Sequence, residues 1–176
     1  EFRDIIWITI ESFRYDYTSL SSASQDTTPT LEKLAQSGTT FDDCHAHSIW
    51  TRPSSASILT GYPPSAHQTW TNNAKLPNSI DTLPETFSQA GYHTACVSPI
   101  AQLSPATGLD RGFDSFHYLQ RSTLREEVGL PTLIRWLPKI RRHSGGLTTD
   151  GRQHCTSYFI NQIGKRHIRN AGDNPL

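Results

Sequence analysis

Apolar runs alternate with capped helical segments along the first hundred residues. The run at residues 4–10 is nearly continuous and predicts a parallel strand buried on both faces. Two further strands are predicted at residues 40–47 and 92–97. Helices are predicted between them, where Thr or Pro begins a segment and Gly ends it, at residues 29–37, 51–60 and 82–90. This order predicts an α/β fold with right-handed parallel crossovers.

The pattern changes after residue 118. Residues 124–143 predict two helical pieces, broken at Pro131 and Pro138, that are both amphipathic and basic. Such a stretch either touches a membrane surface or an anionic substrate, or packs its apolar side as a lid, and packing is the preferred interpretation. Residues 150–170 predict a further helix, with Cys155, Phe159, Ile163 and His167 along one face. We therefore divide the chain into a core at 1–118, an amphipathic insertion or lid at 119–149 and a core helix at 150–176.

Thr51 is the main candidate for chemistry, because it stands where a loop turns into a helix. Pro53 suits the first helical turn, and Gly61 suits the position after the last. The unpaired N–H groups and the dipole at a helix start favour an anion such as a sulfate or phosphate ester. Thr51 is therefore either a helix cap or a hydroxyl nucleophile. Beside it, Arg52 is either a clamp for the anion or a solvated surface residue.

Glu11 is the candidate metal ligand, because it ends the first predicted strand. In open α/β sheets, ligands gather at the carboxyl ends of the strands. A hard divalent cation takes oxygen ligands, and Glu11 and Thr51 offer two of them. The cation would also help to remove the proton from a hydroxyl nucleophile. The alternative is that Glu11 is only a solvated residue at a strand end.

Composition narrows the setting. The chain has 16 basic and 16 acidic residues and a pI near 7.3, so it has no general attraction for nucleic acid. Hydrophobic residues make up 35%, and no apolar run approaches the roughly 20 residues of a transmembrane segment. No signal-peptide pattern is visible, which favours a cytoplasmic location. The three cysteines are odd in number and widely spaced, so Cys44 and Cys96 are predicted to be buried thiols.

Five pieces of the sequence resemble the sulfatase family of the alkaline phosphatase superfamily. In order, they are the run ending in Glu11, residues 28–35, residues 38–41, the Pro53-Ser54 and Leu59-Thr60-Gly61 signature, and residues 90–95. The resemblance implies a three-layer α/β/α fold with a mostly parallel sheet, alkaline-phosphatase-like and incomplete at the C-terminus. It also implies a metal-dependent hydrolase of sulfate esters. The implied cofactor is one divalent metal ion (calcium, magnesium or manganese), and the implied partner is an anionic ester substrate.

The chain also departs from the family pattern. A typical sulfatase has Cys or Ser at the position of Thr51 and oxidises it to formylglycine, which a threonine cannot become. The family also has Arg at the position of Ser55 and two Asp residues at Glu11 and Ser12. Glu11 with Thr51 looks more like the phosphoglycerol and phosphoethanolamine transferases of the superfamily, which use a threonine beside one metal ion.

These departures leave three functions open. The preferred one is hydrolysis of sulfate esters by a hydroxyl nucleophile. The alternatives are a phosphodiesterase or a transferase of the phosphoglycerol or phosphoethanolamine type, and an inactive relative that binds a ligand. His67 falls where the family tends to carry a histidine, so it is either an acid for the leaving group or a solvated loop residue. The family's second half would bring further metal ligands, so the 176 residues alone are expected to show little turnover. No pattern indicates an oligomeric state.

Overall fold

The computed structural model describes residues 4–21, 26–120, 122–139, 151–171 and 175–176; of residues 139 and 151–155 it describes the backbone alone. The chain forms two compact units. The smaller unit comprises residues 7–46, and the larger one comprises residues 1–6 and 47–176. The predicted helical residues 140–143, together with Asp150, lie outside the described residues.

The smaller unit contains one 3-10 turn, Tyr15–Tyr17, and one helix, α1 (Pro29–Ser37), among its described residues. Helix α1 has the predicted bounds, because Pro29 suits a first turn and Gly38 follows the last residue. The Thr28 side chain does not cap the helix. It accepts a hydrogen bond of 2.9 Å from the Ser19 N–H, and the Thr28 N–H donates to Ser19 Oγ at 2.8 Å. Thr28 therefore joins α1 to the preceding loop.

The strands predicted at residues 4–10 and 40–47 are wrong. Residues 4–10 form no strand and are exposed, with Trp7 68% and Ile8 77% accessible. Residues 40–47 also form no strand, and Phe41 is 76% accessible. An apolar run becomes a buried parallel strand only when neighbouring strands and covering helices pack against it. Residues 4–10 have one described backbone pairing, in which the Ile5 N–H donates to the Leu176 carbonyl at 2.8 Å.

The cysteine prediction is half right. Cys44 is exposed, because the strand that was to bury it does not form. Cys96 lies in strand β1 (Ala95–Ser98), where burial raises the pKa of its thiol to about 12. The side chain of Cys155 lies outside the described residues.

The sheet belongs to the larger unit. Strand β1 pairs in parallel with β2 (Ser115–Tyr118), with Ala95 opposite Ser115 and Ser98 opposite Tyr118. Strand β1 overlaps the predicted strand at 92–97, whereas the pattern did not predict β2. A parallel pair requires a crossover connection, which residues 99–114 supply with a 3-10 turn at Pro105–Thr107. The α/β class is confirmed, although the sheet is small.

The larger unit also contains six described helices. In chain order they are α2 (Thr51–Thr60), α3 (Pro64–His67), α4 (Leu83–Gln89), α5 (Leu124–Val128), α6 (Leu130–Trp136) and α7 (Gly151–Asn170), with a 3-10 turn at Leu137–Lys139 after α6. Helix α4 begins with a capping box, in which the Glu85 N–H donates to Thr82 Oγ1 and the Thr82 N–H donates to the Glu85 carboxylate. No helix in the described ranges is both long and apolar enough to cross a bilayer.

Two apolar clusters stabilise the larger unit. Phe159 and Ile163 on α7 are each 1% accessible, and they pack with Leu119 and with Val128 on α5. The rings of Phe159 and Trp136 lie 5.5 Å apart. The second cluster contains Ala56, Leu76 and Leu109. The predicted apolar face of α7 is therefore confirmed at Phe159 and Ile163.

Gly112 marks the closest approach between the crossover and α4. Its φ is +85°, and a Cβ atom added there would lie 2.3 Å from the Glu85 nitrogen. Only glycine fits both the space and the backbone conformation. The neighbouring Arg111 Nε lies 2.8 Å from Glu85 Oε1, so an ion pair reinforces this contact.

Candidate active site

Thr51 is the first residue of α2. The N-cap is Trp50, whose backbone is extended (φ −142°, ψ 162°), and no side chain caps the helix. The predicted capping role of Thr51 is therefore wrong, because a capping residue lies outside the helix and Thr51 lies inside it. Gly61 ends the helix as predicted, with φ +72° and its N–H donating to the Ser57 carbonyl at 2.8 Å.

His67 supports α2 from its buried side. The imidazole is completely buried, and Nε2 lies 3.1 Å from Ser57 Oγ. The Thr69 N–H donates to Nδ1 at 3.0 Å, so Nδ1 is the acceptor and Nε2–H donates to Ser57. Burial lowers the pKa of His67, which favours this neutral form. Both ring nitrogens are bonded within the chain.

The structure thus excludes the interpretation of His67 as a solvated loop residue. Its role as an acid for the leaving group stays a prediction, and its burial gives it a structural task in addition. Ser57, its partner, was missed by the sequence analysis. Helical spacing could have predicted that Ser57 is buried, because it lies on the same side of α2 as Pro53, Ala56 and Thr60. Of these four residues, Pro53, Ala56 and Ser57 are buried.

Arg52 is tied to the loop that follows α3. Its Nη1 donates to the carbonyl oxygens of Thr71 at 3.2 Å and Ala74 at 3.0 Å, and also to that of Asn72. Its Nε is buried and has no hydrogen-bond partner among the described residues. Arg52 is therefore not a solvated surface residue. The anion-clamp role stays a prediction, for which the two N–H groups of Nη2 are the donors that remain outside the buried part of the side chain.

Glu11 lies in a turn of the smaller unit and is exposed. The next residue, Ser12, has φ +55°, a left-handed conformation that is uncommon for residues other than glycine. Such backbone outliers cluster at functional sites. Thr51 belongs to the larger unit, so joint binding of a metal ion by Glu11 and Thr51 stays a prediction. Within the part of the chain that the structure describes, no three His, Cys, Asp or Glu side chains come together to hold a metal ion.

A second polar cluster joins β2, α5 and α7. His117 Nδ1 lies 2.5 Å from Glu127 Oε2, and His117 Nε2 lies 2.8 Å from His167 Nε2. The carboxylate requires a proton on Nδ1 of His117, so His167 donates its Nε2–H to the other nitrogen. Burial is the largest cause that lowers the pKa of His167, and repulsion from His117, His93 and Arg166 adds to it whenever those groups are protonated. The sequence analysis missed this pairing, because 50 residues separate the two histidines.

The chain therefore has an α/β fold, and its candidate nucleophile, Thr51, lies at the N-terminus of a helix. A model of the sulfatase family matches residues 3–163, so the chain belongs to the sulfatase family. The resemblance stated from the sequence is confirmed. Members of this family act on sulfate esters and generally depend on a divalent metal ion.

Curated relatives support this assignment. The chain is 36% identical over 85 residues to an N-acetylglucosamine-6-O-sulfatase of Bacteroides thetaiotaomicron, covering 47% of the chain and 15% of that protein. It is 30% identical over 95 residues to an arylsulfatase of Clostridium perfringens, covering 53% and 20%. A sulfatase of Formosa agariphila is 24% identical over 129 residues, covering 64% and 25%. The chain thus spans a quarter or less of the length of these relatives. No solved structure matches the chain significantly.

Proposed function

We propose that this chain carries the nucleophile part of a metal-dependent hydrolase of sulfate esters, with Thr51 Oγ1 as the attacking atom. The observation that carries the proposal is the position of Thr51 at the first residue of α2 in a sulfatase-family chain. The N–H groups and the dipole of a helix start stabilise an anion there. The hydrogen bond between Ser57 and His67 holds the same helix from its buried side.

The proposed reaction has two steps. In the first, the Thr51 Oγ1–H bond breaks, a bond from Oγ1 to sulfur forms, and the bond from sulfur to the sugar or aryl oxygen breaks. The proton ends on the departing oxygen. In the second step, water hydrolyses the sulfated threonine and returns the hydroxyl. Threonine suits this route, because an ordinary hydroxyl needs no prior oxidation.

Glu11 is the proposed carboxylate ligand of one divalent ion (calcium, magnesium or manganese). Its donor chemistry fits, because such hard cations take oxygen ligands, and Thr51 offers a second oxygen. A bound ion lowers the pKa of a coordinated hydroxyl and neutralises charge on the ester. Since these ions take about six or more ligands, two donors hold one weakly. We therefore expect the 176 residues alone to show little turnover.

Arg52 and His67 have different proposed roles. The two N–H groups of Arg52 Nη2 are the donors proposed to contact the ester anion, since Nη1 is already bonded to three backbone carbonyls and Nε is buried. His67 is proposed as a positioning residue that acts on Thr51 through Ser57 and α2. An acid role for His67 would require its ring to exchange a bond within the chain for one to the leaving group.

A phosphodiesterase or a transferase of the phosphoglycerol or phosphoethanolamine type is the second candidate. The observation that favours it is the pairing of threonine at residue 51 with glutamate at residue 11, in place of the formylglycine precursor and the aspartates of a typical sulfatase. Phosphate and sulfate esters have similar size and oxygen geometry, so the helix start does not distinguish them.

Paired substrates distinguish these candidates. We expect the protein that carries this chain to hydrolyse 4-nitrophenyl sulfate faster than bis(4-nitrophenyl) phosphate, and to lose both activities on chelation of divalent metal. Glu11→Gln should lower activity about a hundredfold and raise the metal concentration needed for half-maximal activity. Glu32→Gln, on the exposed face of α1 in the same unit, is the control and should change neither. Faster cleavage of the phosphate would replace the sulfatase proposal with the second candidate, and no cleavage of either would favour an inactive ligand-binding relative.

A further inference from the structure

A cavity of about 250 Å³ lies among α5, α6 and α7 in the larger unit. Three arginines line it, Arg135 from α6 and Arg166 and Arg169 from α7. Val128 and Ile163 also line it but are only 3% and 1% accessible, so the surface that a ligand would meet is mainly polar and basic. Val128, Thr132 and Arg135 belong to the basic amphipathic segment at residues 124–143. This segment has no role in the proposed hydrolysis.

The described lining of the cavity carries an excess of positive charge. Among the residues that the structure describes, no carboxylate lines the cavity and none of the three arginines forms an ion pair. Glu127 is near in sequence to the α5 lining residue, yet its carboxylate binds His117 at 2.5 Å. Because the whole chain has equal numbers of acidic and basic residues, this excess of positive charge is a local feature.

One of the arginines is already held in place. Arg166 Nη2 donates to the Glu127 carbonyl oxygen at 3.1 Å, which fixes its guanidinium over the end of α5. A donor fixed before binding loses less conformational entropy when a ligand arrives. Gln162 and Asn170 add amide groups to the lining, which both donate and accept hydrogen bonds.

We propose that this cavity is an accessory binding site for a sulfated sugar. Guanidinium groups bind the oxygens of a sulfate group in a bidentate manner, while the amide groups of Gln162 and Asn170 suit the hydroxyl groups of a sugar ring. No residue that lines the cavity belongs to α2, so the site is separate from Thr51. The choice of a sulfated sugar rests on the proposed function, whereas binding of an oxyanion rests on the cavity alone.

Calorimetric titration of the 176-residue chain tests the proposal with three probes: short dextran sulfate oligosaccharides, unsulfated dextran of the same length, and inorganic sulfate. Dextran sulfate should bind, inorganic sulfate should bind at least about tenfold more weakly, and unsulfated dextran should show no measurable binding. Arg135→Gln with Arg169→Gln should weaken dextran sulfate binding about tenfold or more.

The matched control is Arg125→Gln with Lys165→Gln, which removes two positive charges from α5 and α7 outside the cavity. It should change affinity less than about twofold. Arg135→Lys with Arg169→Lys keeps the positive charge but loses the planar guanidinium, so it should give intermediate affinity. This result would show that the weaker binding of the glutamine pair does not come from unfolding. Circular dichroism checks the fold of each variant.

Equal weakening by the cavity and control pairs would overturn the proposal in favour of general charge attraction. Inorganic sulfate that binds as tightly as dextran sulfate would overturn sugar recognition, and binding of unsulfated dextran would overturn the oxyanion role. Failure of the cavity proposal is thus distinguishable from failure of the proposed hydrolysis, which the Thr51 and Glu11 variants test by turnover.

Discussion

The two units of this chain use apolar residues in different ways. The larger unit buries Phe159 and Ile163 almost completely beneath α5 and α6. In the smaller unit, α1 buries no residue, Trp7 and Phe41 are mostly exposed, and Thr18 is the single buried side chain in its described part. Both units are rich in apolar residues, so composition alone does not decide burial. The difference lies in whether other elements are present to cover each apolar face.

The comparison also separates the two proposed site residues. Thr51 begins a helix whose underside is buried and hydrogen-bonded to His67. Glu11 lies in an exposed turn next to a left-handed serine. Thr51 therefore lies in a helix that is held from its buried side within the larger unit, whereas Glu11 lies in an exposed turn within the smaller unit. Variants in each unit can test this difference.

The largest expected effect comes from truncating a core aromatic residue. Phe159→Ala should lower the free energy of unfolding by about 3 to 5 kcal/mol, because it removes buried surface and leaves a cavity between α7 and Trp136. Phe41→Ala, at a 76% exposed position of the smaller unit, should change it by less than about 0.5 kcal/mol. Urea unfolding of both variants measures the difference. Equal losses would mean that the two units are packed alike.

A glycine pair gives the next largest effect. Gly112→Ala should cost about 3 kcal/mol, because its Cβ would overlap the backbone of Glu85 in addition to straining a positive φ. Gly61→Ala shares the positive φ but meets no atom within 4 Å, so it should cost only about 1 kcal/mol. Thermal and urea unfolding of the two variants should separate steric overlap from backbone strain. A cost at Gly61 equal to that at Gly112 would show that the contact with α4 is unimportant.

A smaller effect concerns pH. Because burial lowers the pKa of His67 and His167 in the folded chain, the unfolded chain takes up protons first as pH falls. Stability should be full above the ordinary histidine pKa of about 6.5 and should decline as pH falls through that value towards the lower folded pKa. His167→Gln should make this decline shallower, because it removes one of the two histidines whose folded pKa is lowered. Unfolding measured from pH 8 to pH 5 tests the prediction, and an unchanged slope in His167→Gln would contradict it.

Local signals in the sequence predicted much of the helical structure. The bounds of α1, the start of α4 next to Thr82 and the stop at Gly61 depend on residues a few positions apart. The break predicted at Pro131 falls at Gly129 instead, because proline fits the first turn of α6. Strands were harder to predict from the sequence, because a strand forms only when it pairs with residues that are distant along the chain. The runs at residues 4–10 and 40–47 predicted strands that do not form, and β2 forms at residues 115–118 without having been predicted.

The same limit applies to the candidate site. The sequence identified Thr51, Arg52 and His67 through a helix start and a family signature. It did not predict that His67 would bind Ser57 or that Arg52 would bind carbonyls about twenty residues away. These contacts depend on how the loop after α3 folds back on α2. The sequence pattern therefore identified the candidate residues and the helix start. The hydrogen-bond partners of these residues became known only from the structure.

Turnover by Thr51 variants tests the central claim most directly. In the protein that carries this chain, Thr51→Ala should reduce hydrolysis of 4-nitrophenyl sulfate at least about a thousandfold, while Thr51→Ser retains measurable activity because it keeps a hydroxyl at the same atom. Thr60→Ala, in the same helix, is the matched control and should keep most of the activity, since its hydroxyl bonds only to its own helix and to the following turn. Full activity in Thr51→Ala would contradict the account.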